Sequence, residues 1–269
     1  MKRAAIYLGL IALVSGSALA LAGAEPGPEP GPEPGISYKL LHRYPHDRSS
    51  FTQGLEIHRS MLYESTGLYG KSTIRYYPPD TPADMTLHRL TPDRFGEGLT
   101  LLNDKLYQLS WRSGDVFVYD PDSLSPVGKF SIDTDGWGLT NNGSELIYSD
   151  GSDTLFFLDA TTHTVIHTVT VRYNGNPLKS LNELEWIDGL IFANVLPTDT
   201  IVIIDPSSGS VVDSLDIGRL YPRSMRPGLQ DIANGIAWDR EARELLVTGK
   251  NWPWLYRLKL FNKPQKDSH

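Results

Sequence analysis

The sequence predicts an all-β fold: a five-bladed β-propeller whose ring is closed by an N-terminal strand. Three observations carry this. The chain of 269 residues holds 24 Gly and 19 Pro, well above average usage, as short strands joined by many turns require. A short phrase recurs five times, anchored on glycine in four of its copies. Apolar runs of about four to eight residues follow each recurrence, and no part of the domain sustains a 3.6-residue period.

Residues 1–24 read as a secretory signal peptide. Lys2 and Arg3 form a positive start, Ala4 to Ser15 an apolar stretch, and Ala18-Leu-Ala20 and Ala22-Gly-Ala24 small-residue cleavage sites. The apolar stretch is short for a spanning helix, so cleavage is favoured over an uncleaved anchor. The expectation is an exported protein, periplasmic or extracellular, with no membrane span after cleavage. Residues 25–35 read EPGPEPGPEPG, a solvated Pro/Gly/Glu spacer. Residues 36–262 are the expected propeller domain, and 263–269 a polar tail. The protein is expected to be a monomer.

The repeated phrases are Phe51-Thr-Gln-Gly-Leu55, Phe95-Gly-Glu-Gly-Leu99, Asp135-Gly-Trp-Gly-Leu139, Ser180-Leu-Asn-Glu-Leu184 and Ala233-Asn-Gly-Ile236. Their anchors are Gly54, Gly98, Gly138, Glu183 and Gly235. Second runs follow, such as Met61-Leu-Tyr63 and Leu245-Leu-Val247. Third runs end at turns, as in Val116-Phe-Val-Tyr-Asp120 before Pro121. Fourth runs are Val127 to Ile132, Thr164 to Val171 and Ser210 to Ile217. Four strands per roughly 45 residues, about five times over, is propeller arithmetic. A β-sandwich does not repeat one phrase at such spacing. The last repeat has only three evident strands, and Ser37 to Tyr44 is expected to supply its outer strand and protect the edge.

In a propeller the first strand of each blade lines the central channel. The residue before each anchor is then a variable position at the channel mouth: Gln53, Glu97, Trp137, Asn182 and Asn234. Convergent polar groups beside aromatic rings fit a small-molecule pocket, and a purely structural repeat would carry one small or apolar residue there. Glu97 is the acid of the set. Desolvated beside Trp111 and Trp137, it would be raised towards neutrality and could shuttle a proton. Lys250, in Thr248-Gly-Lys-Asn-Trp-Pro253, could carry charge or donate hydrogen bonds, although spacing alone favours a solvated surface lysine.

Other chemistries are excluded or weak. The formal charge of -7 argues against a nucleic-acid partner. The absence of cysteine excludes disulfides, thiolate metal sites and a cysteine nucleophile. There is no HExxH, GxSxG, P-loop or GxGxxG. His163 and His167 read as solvated histidines of an outer strand. Asp120-Pro-Asp122 and Asp205-Pro-Ser207 read as turn chemistry rather than calcium loops, which leaves open a structural metal in the channel.

Taken together, the phrases Phe51-Thr-Gln-Gly-Leu55, Gly96-Glu-Gly-Leu-Thr100, Gly136-Trp-Gly-Leu-Thr140, Leu181-Asn-Glu-Leu-Glu-Trp186, Asn234-Gly-Ile-Ala-Trp238 and Thr248-Gly-Lys-Asn-Trp-Pro253 resemble the glutamine cyclotransferases of plants and bacteria. The resemblance runs from about Ile36 to Leu260. It implies a five-bladed propeller that converts the N-terminal glutamine of peptides or proteins into pyroglutamate and releases ammonia, with no cofactor required for catalysis. It further implies Glu97 as general acid/base, Lys250 near the reaction centre, Gln53 and Asn182 as polar substrate-binding positions, Phe51 beside the first of these, and Trp111 and Trp137 as pocket tryptophans. Leu196 stands where the family often has a tryptophan, in Ala193-Asn-Val-Leu-Pro-Thr-Asp199. It keeps an apolar wall and loses the indole N–H. The competing readings are a non-catalytic secreted propeller that binds peptide or glycan in its channel, and a calcium-dependent propeller hydrolase, for which the channel phrases offer too few acids.

Overall fold

A computed structural model describes residues 34–262 of the protein. The expected signal peptide, nearly all of the expected spacer and the expected polar tail lie outside the described residues. Five four-stranded antiparallel sheets make up the five blades. Blade one comprises Thr52–His58, Met61–Thr66, Thr73–Tyr77 and Thr86–Arg89. Blade two comprises Gly96–Leu102, Lys105–Ser110, Asp115–Tyr119 and Pro126–Ser131. Blade three comprises Leu139–Asn141, Glu145–Ser149, Thr154–Asp159 and Val165–Thr170. Blade four comprises Leu181–Ile187, Leu190–Val195, Thr200–Ile204 and Val211–Asp216. In blade five, Ala233–Asp239, Glu244–Gly249 and Trp254–Asn262 are joined by the N-terminal strand Ile36–Pro45, which pairs antiparallel with Trp254–Asn262 from Ile36 opposite Asn262 to Pro45 opposite Trp254. The ring closes as expected, and its first and last strands cover each other's edge.

The first strand of every blade is innermost, and each of these five strands touches the next around the ring, the fifth touching the first. Short hairpins lead out from the axis. Asn103-Asp104 and Asp188-Gly189 each carry two positive φ angles, the conformation that matches strand twist in a two-residue turn. One apolar cluster fills each seam between neighbouring sheets. Blades one and two share Tyr63, Ile74, Leu99, Leu106 and Tyr119. Blades five and one share Leu55, Leu62, Tyr77, Ala237, Leu246 and Leu255. Each such side chain contributes about 1.5–3 kcal/mol on burial, so the seams supply the cohesion that no disulfide provides.

Two details depart from expectation. His163 lies in the turn before the outer strand of blade three, with φ of 59°, and stacks on Phe130 of blade two at 3.8 Å; only His167 is in the strand. The long interval between the last two anchors holds a connection with a 3-10 turn, Arg223–Met225. Arg226 fastens it by pairing with Asp199 at 2.7 Å and lying over Trp252 at 4.7 Å. The Asp-Pro turns are turn chemistry: Asp120 and Asp205 each accept the backbone and hydroxyl of a nearby serine.

Candidate active site

The repeated phrase is a β-bulge. The ladder slips between Thr52 and Gly54, between Gly96 and Leu99, between Leu181 and Leu184, and between Ala233 and Ile236. In blade three the strand begins just after Trp137-Gly138, at Leu139. A bulge leaves a residue outside the ladder and re-aims its side chain, and the residues released here are the variable ones. Four of the five anchors are glycine because the strands nearly touch. A Cβ on Gly98 would lie 2.4 Å from the nitrogen of Leu139, and one on Gly138 would lie 1.9 Å from the carbonyl oxygen of Asn182.

Glu97 is buried between two such glycines. Its Oε1 accepts the Nε2 amide of Gln53 at 3.1 Å, and its Oε2 has no hydrogen-bond partner among the described residues. Burial pushes its pKa well above the usual carboxylate range. Lys250 opposes that shift and Asp135 adds to it. Lys250 follows the second strand of blade five. Its backbone N–H is held by the carbonyl of Ile232 at 2.9 Å, and the next residue, Asn251, donates to Ser50 at 2.7 Å. The residue is 6% exposed, so the surface-lysine reading fails. Its ammonium sits 4.9 Å from the centre of the Phe51 ring. Desolvation lowers its pKa to about 8, against the pull of Glu97. No direct ion pair joins the two among the described residues, so both keep capacity for a ligand.

Aromatic rings form one wall. Phe51 meets Phe95 edge-on at 6.2 Å, and Phe95 meets Trp111 at 5.4 Å and Tyr69 at 5.4 Å. The Trp137 indole lies where a Cβ on Gly151 would be, at 2.7 Å, and its buried Nε1 has no partner among the described residues. Ser149 ties this residue to the next blade: its Oγ accepts from the nitrogen of Gly138 at 2.8 Å and donates to the carbonyl of Asn182 at 2.8 Å. The Oδ1 of Asn182 is likewise buried and has no partner among the described residues. Unpaired buried donors and acceptors are rare and costly, and here Trp137 and Asn182 occupy the two variable positions that follow Glu97 around the ring. Leu196 is half-buried and placed by its backbone, which donates to Ser180 at 2.9 Å at the entry to the Asn182 strand.

The sequence model of the glutamine cyclotransferase family matches residues 12–260. The chain belongs to the glutamine cyclotransferase family. A glutaminyl-peptide cyclotransferase of Arabidopsis thaliana is 42% identical over 226 residues, covering 82% of this chain and 71% of that protein. The crystal structure of Myxococcus xanthus glutaminyl cyclase matches with a TM-score of 0.79 at 31% identity, covering 85% of this chain and 98% of that one.

Against the sequence reading of this cyclotransferase-family chain, the structure adds residues. Phe95 stands in its phrase where Phe51 stands in the first, and that shared position was the available signal. Asn234 occupies the variable position of blade five and is fully buried. The expectation of few channel acids needs correction. Glu56, Glu183 and Glu185 all lie on inner strands, and burial raises the pKa of each, that of Glu56 to about 7. Among the described residues no group of three or more His, Asp or Glu is arranged to hold a metal ion. No helix among them is long and apolar enough to cross a membrane.

Proposed function

We propose that this protein cyclises the N-terminal glutamine of peptides or proteins to pyroglutamate, with Glu97 as the proton-transfer group. The observation that carries the reading is Glu97 itself: a desolvated carboxylate with one oxygen held by Gln53 and the other free, beside a buried lysine and an aromatic wall. Family membership supports the same reaction.

The chemistry asks little beyond folding the substrate and moving protons. The free α-amine attacks the carbon of the substrate's own side-chain amide, closing a five-membered lactam, and being intramolecular it gains chiefly from orientation. The new C–N bond forms as the amine loses a proton to Glu97 Oε2. Glu97 then delivers that proton to the departing amide nitrogen, the C–NH₂ bond breaks, and ammonia leaves. No water is consumed. A carboxylate raised towards neutrality suits both steps. Trp137 Nε1 and the Lys250 ammonium are donors for the oxyanion, where one good donor is worth about 3 kcal/mol. Asn182 Oδ1 is an acceptor for the substrate N–H groups, while Gln53 donates to Glu97 Oε1 and holds that carboxylate in place. Phe51, Trp111 and Leu196 hold the aliphatic stem and exclude water.

The test is a peptide beginning with glutamine, followed by ammonia release and by the mass loss of one ammonia. Glu97→Gln in a folded protein should lower kcat by about 10²–10⁴; near-normal turnover would remove the acid/base role.

The finer settings belong to the same proposal. They are the domain boundaries at residues 1–24, 25–35, 36–262 and 263–269, export to the periplasm or medium after cleavage, a monomeric state, and catalysis without a cofactor. N-terminal sequencing of the mature protein tests the cleavage.

A further inference from the structure

We propose that Asn234 is a positioning residue that fixes which end of the Gln53 carboxamide faces Glu97. The inference rests on the reading of Glu97 as the proton-transfer group.

A carboxamide is nearly symmetric in shape, so a glutamine can present either its NH₂ or its carbonyl oxygen to a neighbour. Towards a carboxylate the difference is large, because an N–H donor supports the charge and a carbonyl oxygen repels it. Something must therefore set the direction of Gln53. The backbone carbonyl of Thr52 can only accept. Asn234 donates Nδ2 to that carbonyl at 2.9 Å, which settles the direction of Asn234 itself. The second hydrogen on the same nitrogen goes to Gln53 Oε1 at 3.0 Å. With its oxygen engaged, Gln53 has only its amide nitrogen left for Glu97, and it donates at 3.1 Å.

The polarity thus runs from a backbone group, which cannot turn over, through two amides to the carboxylate. It crosses two seams of the ring, from blade five to one to two, through three successive variable positions of the repeat. Asn234, Gln53 and Glu97 are 0%, 3% and 5% exposed, so bulk water cannot replace a missing link. Glu97 Oε1 is committed to this chain, and Oε2 is left for the substrate.

The experiment compares Asn234→Leu, Gln53→Met and the double variant by the pH profile of kcat/KM on one Gln-initiated peptide. The charged groups acting on Glu97, namely Lys250 and Asp135, are untouched. The substrate amine titrates identically in all, so differences between variants belong to the enzyme. Losing one hydrogen bond to a carboxylate should move the acid limb up by about one pH unit, with kcat falling more than KM rises. The double variant should move no further than Gln53→Met alone, because Asn234 acts through Gln53. An unmoved acid limb in Asn234→Leu, or additive shifts, overturns the proposal. If Asn234→Leu does not fold, Asn234→Ser, which retains one donor, and Gln53→Met must both shift the limb upwards, the serine variant less; an unmoved limb in either overturns it. Glu97→Gln keeps the two readings apart. If it stays active, the role of Glu97 fails. If it is inactive while the Asn234 variants keep the wild-type profile, only the positioning role fails.

Discussion

Glu183 reaches across the propeller axis to the opposite side of the ring: its Oε1 accepts the backbone N–H of Leu55 at 3.1 Å. Blade four is the one repeat without an anchor glycine, and the side chain it carries instead occupies the axis and joins two blades that are not neighbours. Burial holds this carboxyl well above the usual range, with Glu56 adding to the effect, so the neutral acid is the form the fold favours.

Glu183→Gln keeps an acceptor for Leu55 and removes the ionisable group, whereas Glu183→Leu leaves that N–H buried and unpaired. The first should be nearly as stable as wild type near pH 5. The second should lose about 1–3 kcal/mol. Urea unfolding at one pH reads both, and equal losses would show that the acceptor is not what counts at the axis.

Away from Glu97, the inner-strand acids Glu56, Glu183 and Glu185 also set a pH dependence. A group whose folded pKa is raised contributes stability that is fully present below its unfolded value and is lost as pH rises through the folded value. Glu56 is raised to about 7, and Glu183 and Glu185 are raised as well. Arg240, which lowers Glu56 and Glu185, opposes the shift without cancelling it. Melting temperature should therefore fall between about pH 5 and 8. Glu56→Gln, which keeps an acceptor for Thr100 and Leu101, should flatten the slope. A slope unchanged in this variant would place the dependence elsewhere.

Much of this was legible because a propeller repeats itself. The anchor glycines marked the inner strands, and the residue before each marked the mouth, because the phrase encodes a bulge whose geometry needs both. Phe95 was in view in its phrase but carried no chemical signal of its own, and Asn234 was one of the polar groups at the mouth with no role assigned to it. Glu56 and Glu185 were invisible for a physical reason: two residues past an anchor, an acid in an inner strand reads as the outward half of an alternating pattern. Only closure of the ring turns that face onto a crowded axis, where blade-to-blade bonds such as Glu185 to the nitrogen of Trp238 at 3.0 Å take the place of water. Lys250 was ambiguous for a similar reason, since its burial comes from three elements far apart in sequence.

Lys250 should shape the alkaline limb of activity. Its pKa is lowered to about 8 by desolvation, so as pH rises through 8 the ammonium is lost, and with it the cationic donor at the mouth. Activity in the proposed cyclisation should decline over that range. Lys250→Met should be slower at pH 7 and should lack this limb, and a limb near pH 8 that survives the substitution would assign it to another group. Lys250→Arg keeps the charge at all accessible pH values but not the shape, so its limb should also vanish while part of the rate returns.

Among the four anchor glycines the tightest setting is that of Gly138 against Asn182. A Cβ on Gly138 would lie 1.9 Å from the Asn182 carbonyl oxygen and 2.9 Å from the Cα of Glu183. Both are backbone atoms of the next blade, so no side-chain rotation relieves the overlap. Gly143 is the control. It has a positive φ of 93° and open space around its Cβ, so an alanine there meets only backbone strain, of about 1 kcal/mol. Gly138→Ala must instead push two blades apart at the position that supports both Trp137 and Asn182. It should destabilise by at least the 1–3 kcal/mol typical of overpacking and raise KM in whatever protein remains folded, while Gly143→Ala changes stability slightly and KM not at all. Equal effects of the two substitutions on KM would mean that blade separation at Gly138 does not set the geometry of the mouth.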